Sequence, residues 1–310
     1  MRILIPGGSG FIGSALSANL AAAGHEVIVL TRNPDKAGAA LPPGVRAQRW
    51  DGRTADGWGQ LADGAGAIIN LAGESIAGAN PIVGRWTAAR KRAMRDSRVN
   101  AGRAVVEAIR AAKVKPAVLM QASAVGYYGP HGDEFVTEDT PAGSDFLASV
   151  CVDWEASTAG VEAMGVRRVV TRTGLPMGNQ GGAFPPLRLI ANLGGGGPMG
   201  SGRQWWPWLH LDDDIAALRF LMESDASGPY NLSSPNPVQE AEFFKVLGKV
   251  MRRPSFIPTP GFALRLSAGE LADAALLTGQ REMPVRLQKA GFKFKFPGLE
   301  GAFTQLLHPR

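Results

Sequence analysis

Short unbroken apolar runs alternate with helix-length amphipathic stretches over residues 1–175. Residues 2–6, Arg-Ile-Leu-Ile-Pro, read as a buried strand, and residues 11–23 as a helix stopped by Gly24. Further strands are expected at 25–30, 45–50, 67–71, 117–122 and 166–172. A long helix is expected over 85–112, with Ala93, Val99, Val105, Val106 and Ile109 as its apolar positions, and another over 150–164. Strands separated by helices predict an α/β fold, a doubly wound parallel sheet covered on both faces. Beyond residue 174 the pattern changes. Residues 174–208, with the Gly194–Gly197 run and three tryptophans, read as a long irregular segment that covers a substrate. A helix over 209–222, a short strand at 230–232 and an amphipathic helix over 240–251 follow. The last fifty or so residues read as two short helices and a Phe-rich tail. The domains expected are therefore 1–173, completed by 208–232, and a smaller unit made of 174–207 and 233–310.

Composition narrows the functional class. Hydrophobic residues are 45% and charged residues 19% of the 310, which excludes intrinsic disorder. One cysteine and four histidines argue against a disulfide scaffold and against a zinc site, so no metal is expected. No apolar run is long enough for a membrane span. The first residues enter a strand directly, which leaves no room for a signal peptide, so a cytoplasmic protein is expected. Much of the +6 charge sits between Arg85 and Arg110. That run is either a solvated helix face or a source of one or two arginines for an anionic ligand; no aromatic-studded basic groove accompanies it, so no nucleic-acid partner is expected.

The strongest chemical signal is Gly7-Gly8-Ser9-Gly10-Phe11-Ile12-Gly13, set between a strand and a helix. Glycines let the turn bend and bring backbone N–H groups against a diphosphate, while the helix N-terminus adds its dipole. The next strand ends in Leu30-Thr31-Arg32-Asn33 where NAD sites place a carboxylate. Thr31 with Arg32 favours a 2′-phosphate, so NADP(H) is expected over NAD(H). Asp51, closing the third strand, is either an acceptor for the adenine amino group or a turn cap. Leu71, Ala72 and Gly73 end the fourth strand with room for the cofactor's sugar, and Glu74 is placed to enter the site from the same turn. Arg98 is the arginine of the basic run grouped with them as cofactor-binding.

Together with Trp208-Leu209-His210-Leu211-Asp212-Asp213 and Gly228-Pro229-Tyr230-Asn231-Leu232, these motifs resemble the extended short-chain dehydrogenase/reductases, the epimerase/dehydratase-like superfamily, over nearly the whole chain. A closer resemblance is to an atypical epimerase-like subgroup. It rests on Asn70–Glu74, Arg85-Trp86, Ser97-Arg98, Ser123-Ala124-x-Gly126-Tyr127-Tyr128-Gly129 and Asp153-Trp154-Glu155. Residues 258–307 are similar to that subgroup's small C-terminal domain. The resemblance implies a Rossmann-like fold with a C-terminal substrate or lid domain, and a homodimer through helices 85–112 and 150–164.

It also implies a catalytic Tyr and Lys four residues apart on the helix near residue 150, where they share a face. This chain carries Leu147 and Cys151 there, or Phe146 and Val150 in the neighbouring alignment. Ser123 matches the orienting serine, and Tyr127 and Tyr128 are the nearest replacements for the missing Tyr. His131, Asp133 and Glu134 are further proton carriers or simply a solvated loop. Asp212–Asp214 read as helix-capping groups rather than a metal site, His210 as a buried hydrogen-bonded histidine rather than a catalyst, and Cys151 as a core thiol. Arg203-Gln204-Trp205-Trp206 suits a sugar-like or flat ligand, or interdomain packing. Two functions follow: an NADP(H)-dependent oxidoreductase or epimerase-like enzyme with substituted machinery acting on an unknown small substrate, or a catalytically silent NADP(H)-binding or redox-sensing protein.

Overall fold

The computed structural model describes residues 1–38, 41–78 and 85–309. In chain order the first half comprises β1 (Arg2–Pro6), α1 (Phe11–Ala22), β2 (Glu26–Thr31), α2 (Pro34–Gly38), β3 (Val45–Arg49), β4 (Ala67–Asn70), α3 (Ala88–Ala111) and β5 (Val118–Ala124). Then come β6 (Phe135–Val136), α4 (Phe146–Ala156), β7 (Arg167–Thr173), β8 (Leu175–Gly178), β9 (Gly181–Gly182) and α5 (Phe184–Asn192). The rest comprises β10 (Trp205–Trp206), β11 (Trp208–His210), α6 (Leu211–Glu223), β12 (Gly228–Leu232), β13 (Val238–Gln239), α7 (Glu240–Met251), α8 (Gly261–Ala268), β14 (Arg281–Glu282), α9 (Val285–Lys289) and α10 (Leu299–Leu307).

Seven strands form one parallel sheet in the order β12-β7-β5-β4-β1-β2-β3. Its strands are nearly continuous apolar runs because both faces are covered. Side chains alternate across it. Ile3 and Ile5 pack with Leu16 and Leu20 of α1 and Leu218 of α6, whereas Leu4 and Ile28 pack with Val105 and Ile109 of α3 and with Trp58. Strand order reverses between β1 and β4, the switch point at whose carboxyl end open α/β sheets of this kind bind ligands.

The chain departs from its sequence reading in four places, one being the C-terminal segment, where the three helices α8, α9 and α10 stand in place of the two expected. α3 begins at Ala88 rather than residue 85, with the Thr87 side chain capping the Arg90 N–H. α4 begins at Phe146, capped by Asp145, and stops at Ala156; a separate 3₁₀ turn covers Ala159–Met164. Residues 174–208 are only partly irregular: they supply β8–β10, the first residue of β11 and α5, while 193–204, with the Gly194–Gly197 run, hold no helix or named strand. Their strands are two to four residues long, too short for alternation to show. They wrap a third core in which Trp206 and Trp208 are buried beside Phe184, Phe243, Phe244 and Phe303. Of the two tryptophans expected to meet a ligand, Trp206 packs in this core and reaches the cavity wall, Trp205 lines the cavity, and Arg203 is exposed and does not line it.

Among the described residues no helix is long and apolar enough to cross a membrane, and no group of three or more metal-type side chains converges. Part of the basic face of α3 is occupied internally, where Arg90 meets Glu74, Lys91 meets Glu270 and Arg95 meets Asp153, while Arg92, Arg103 and Arg110 are exposed.

Candidate active site

The turn after β1 is shaped by close backbone approach. Gly7 has φ +78, and a Cβ there would lie 2.8 Å from the Ala72 nitrogen. A Cβ on Gly13 would lie 2.5 Å from the Gly8 Cα, so α1 can start against the turn only with glycine at both points. Gly8 donates to the Ile5 carbonyl at 2.9 Å and Gly10 to the Gly7 carbonyl at 3.0 Å, locking the bend. Gly10 caps α1 with no side-chain acceptor, and the first turn holds no acidic residue. Its N–H groups therefore face outward without protein partners, as helix geometry requires.

Ser9 and Thr31 meet through their hydroxyls at 3.4 Å on one side of this turn. Arg32 follows, exposed and without an ion-pair partner among the described residues. Phe11 contributes only its backbone to the turn. Its ring is wedged against Gly178, Gly181 and Gly182, each of which would bring a Cβ within 2.9 Å of it.

Leu71 donates to the Pro6 carbonyl at 2.9 Å, which places Ala72 and Gly73 beside the glycine turn. Gly73 in turn lies against the Arg98 guanidinium; a Cβ there would sit 3.2 Å from Cζ. Arg98 forms one wall of a cavity of about 140 Å³. Glycine turn, strand end and cavity are thus contiguous. The cavity is walled by Ile76, Phe146, Leu147, Leu175 and Trp205, and closed by Ala274, Ala275 and Gln280 from the C-terminal segment.

This geometry can be compared with known proteins. The model of the NAD dependent epimerase/dehydratase family matches residues 3–233, and that of a domain of unknown function (DUF1731) matches residues 259–306. The chain belongs to the NAD-dependent epimerase/dehydratase family. It is 39% identical over 293 residues to the Mycobacterium bovis epimerase family protein Mb2239, covering 94% of this chain and 93% of that one. The crystal structure of human epimerase family protein SDR39U1 (isoform 2) with NADPH superposes with a TM-score of 0.88 at 32% identity, covering 100% of both chains. The nucleoside-diphosphate sugar epimerase from Corynebacterium glutamicum superposes with a TM-score of 0.77 at 31% identity, covering 99% of this chain and 58% of that one.

Within this family frame, the α4 face expected to carry Tyr and Lys does line the cavity, but with Phe146, Leu147, Val150 and Cys151. Burial pushes the Cys151 thiol up to about 11, so it is protonated at neutral pH.

All three catalytic candidates sit in a different place from the cavity. The register of the sheet sets Ser123, Arg172 and Asn231 side by side on β5, β7 and β12. Ser123, 4% exposed, donates to Glu155 Oε1 at 2.7 Å. Arg172 binds both Glu155 oxygens, at 2.9 and 3.0 Å, and donates to the Tyr128 hydroxyl at 3.1 Å. Tyr128, 1% exposed, donates to Asn231 Oδ1 at 2.6 Å, and burial drives its hydroxyl strongly upward. It cannot reach a substrate as a proton carrier. Tyr127 stacks on Arg172, whose Cζ lies 3.4 Å from the ring centroid. Neither Ser123, Tyr127 nor Tyr128 lines the cavity. These residues form a buried polar brace, and its centre, Arg172, had no sequence signal beyond a charge near a strand end.

Two cofactor-binding expectations are also corrected. Asp51 Oδ1 accepts from the Arg53 and Thr54 N–H groups at 2.7 and 2.9 Å, and Oδ2 accepts from the Thr54 hydroxyl, so its carboxylate caps its own turn. The slight burial raises its affinity for a proton, but these donors outweigh it and hold Asp51 below the usual carboxylate range. The Glu74 carboxylate is held by Arg90 at 2.9 Å. The loop after β5 is similarly committed: His131 pairs with Glu134, and Asp133 accepts from Trp205 Nε1 at 2.7 Å. His210 caps α6, with Nδ1 accepting from the Asp212 N–H, and Asp213 accepts from the Lys295 and Phe296 N–H groups.

Behind the brace, Glu282 of β14 is fully buried, with no hydrogen-bond partner on either oxygen. Burial, then Glu138 nearby, push it up to about 8 against the pull of the Ser233 hydroxyl and of Arg172. The native state therefore holds this proton where the unfolded chain has released it. Its contribution to stability is full below about pH 4 and is lost as the pH rises towards 8. Glu282→Gln is expected to flatten that loss. Denaturation midpoints from pH 5 to 8 should fall more steeply for the natural protein than for the variant, and parallel curves would refute the assignment.

Proposed function

We propose that this protein binds NADP(H) and exchanges a hydride with a small substrate held in the cavity beside Arg98, as an oxidoreductase or epimerase-like enzyme with substituted machinery. The observation that carries the reading is the continuity from a side-chain-free turn, through the small residues Ala72 and Gly73, to an apolar cavity. The residues present fit the cofactor: a Cβ at Gly7, Gly8 or Gly13 would fill or break the cradle, and the first turn of α1 offers unpaired donors to a diphosphate. Ser9, Thr31 and Arg32 would hold the 2′-phosphate and Leu71–Gly73 the sugar. When bound, the nicotinamide ring supplies or takes the hydride. The human relative crystallised with NADPH supports this assignment.

The chain's own groups orient the substrate and exclude water. Ile76, Leu147, Leu175 and Trp205 wall off solvent. No described cavity side chain titrates near neutral pH, so proton movement falls to the Thr173 and Thr278 hydroxyls and to entering water. The same absence favours the second reading, a silent NADP(H) sensor. Loss of NADPH absorbance against a panel of aldehydes, ketones and unsaturated acids distinguishes the two. Tight NADPH binding with no turnover would select the sensor.

Arg32→Ala is expected to weaken NADPH binding by about 2 kcal/mol, the usual worth of a charge-assisted hydrogen bond, and leave NADH binding unchanged. Calorimetry with both nucleotides measures this; equal affinity for NADPH and NADH in the natural protein would overturn the cofactor assignment.

A further inference from the structure

Arg98 is the only formally charged side chain among the described residues of the cavity wall. Its Nη1 donates to the Glu74 and Met94 carbonyls at 3.0 and 2.8 Å, and its guanidinium lies over Trp154 at 4.8 Å. Nε–H and both Nη2–H donors have no protein acceptor among the described residues, and Arg98 forms no salt bridge. The nearby carboxylates are already taken: Glu74 by Arg90, Asp153 by Arg95 and Glu155 by Arg172. The segment outside the described residues that lies nearest in sequence, 79–84, contains no acidic residue. A guanidinium stays charged in a protein, so a half-buried one without a counter-ion is costly unless a ligand supplies the charge. Burial already works against its charged form.

The remaining donors form the planar fork that matches a carboxylate. The rest of the cavity wall is mainly apolar and aromatic, with the Thr173 and Thr278 hydroxyls and the Gln280 amide as neutral polar groups, and among the described residues it offers no second cation for a second phosphate. We infer that Arg98 anchors the carboxylate of a largely apolar organic acid, and that this cavity selects such monoanions over nucleoside-diphosphate sugars. This rests on reading the cavity as the substrate side of the NADP(H) site.

The test is calorimetric titration of the whole protein, with and without NADPH, using trans-cinnamate, its neutral amide and UDP-glucose as probes. Cinnamate is expected to bind at least about tenfold more tightly than cinnamamide, and UDP-glucose more weakly than cinnamate. Arg98→Met should erase the acid-over-amide preference while NADPH affinity stays within about threefold, and Arg98→Lys should restore part of the preference. Equal binding of acid and amide, or no binding of either by the natural protein, would overturn the inference, and this comparison needs no variant to fold. Tighter binding of UDP-glucose would overturn the substrate class. A fall in NADPH affinity in Arg98→Met with cinnamate binding unchanged would return Arg98 to the cofactor. Failure of NADPH itself to bind would strike the proposed function instead, since the acid-over-amide comparison is also read without it.

Discussion

Gly10→Asp is expected to abolish NADPH binding while the fold holds or gains slightly in stability. The two effects have separate origins. A Cβ at Gly10 meets nothing closer than the Gly7 carbonyl oxygen at 3.3 Å, unlike the backbone collisions at Gly7 and Gly13. Asp is a better N-cap than Gly by a few tenths of a kcal/mol, and its charge suits the helix dipole. The same carboxylate would occupy the donors that a diphosphate needs and repel its charge. A loss of at least about 100-fold, or ~2.7 kcal/mol, is the expected size. Nucleotide titration and thermal unfolding read the two consequences independently. Undiminished NADPH affinity would show that the diphosphate lies elsewhere.

Arg172→Met should cost stability rather than cofactor affinity. It strips two of the three hydrogen bonds from the Glu155 carboxylate, one from the Tyr128 hydroxyl and the stacked cation from Tyr127. Breaking a buried pair by removing one partner costs about 3–5 kcal/mol, because the other charge stays behind. The melting temperature should fall by roughly 6–15 °C. Adding Glu155→Met should recover part of that loss, as a double-mutant cycle reveals. A single-variant loss below about 1 kcal/mol would mean that the brace is incidental.

The sheet and its nucleotide turn were legible because their causes are local. Apolar runs such as Ile3–Ile5 and Ile68-Ile69 set the strands, and the glycine spacing sets the bend. The contents of the cavity wall were partly legible too: Leu147 and Cys151 stand where the resemblance puts Tyr and Lys, and both line the cavity. What escaped is long-range. Ser123 and Tyr128 looked catalytic from their motif, yet strand register brings them to Arg172 and Asn231, far off in sequence. Asp51 was open between ligand and turn, and only the positions of the Arg53 and Thr54 N–H groups decide it. Residues 174–208 escaped because glycine and proline mask strands of two to four residues.

Phe11 carries a further consequence. The residue that starts α1 drives its ring into the β8–β9 hairpin, where three glycines leave no slack around it. Side-chain growth at Gly178, Gly181 or Gly182 would push on the Phe11 ring and through it on the start of α1, so under the proposed NADP(H) reading a substitution in this hairpin is expected to weaken NADPH binding without touching the nucleotide.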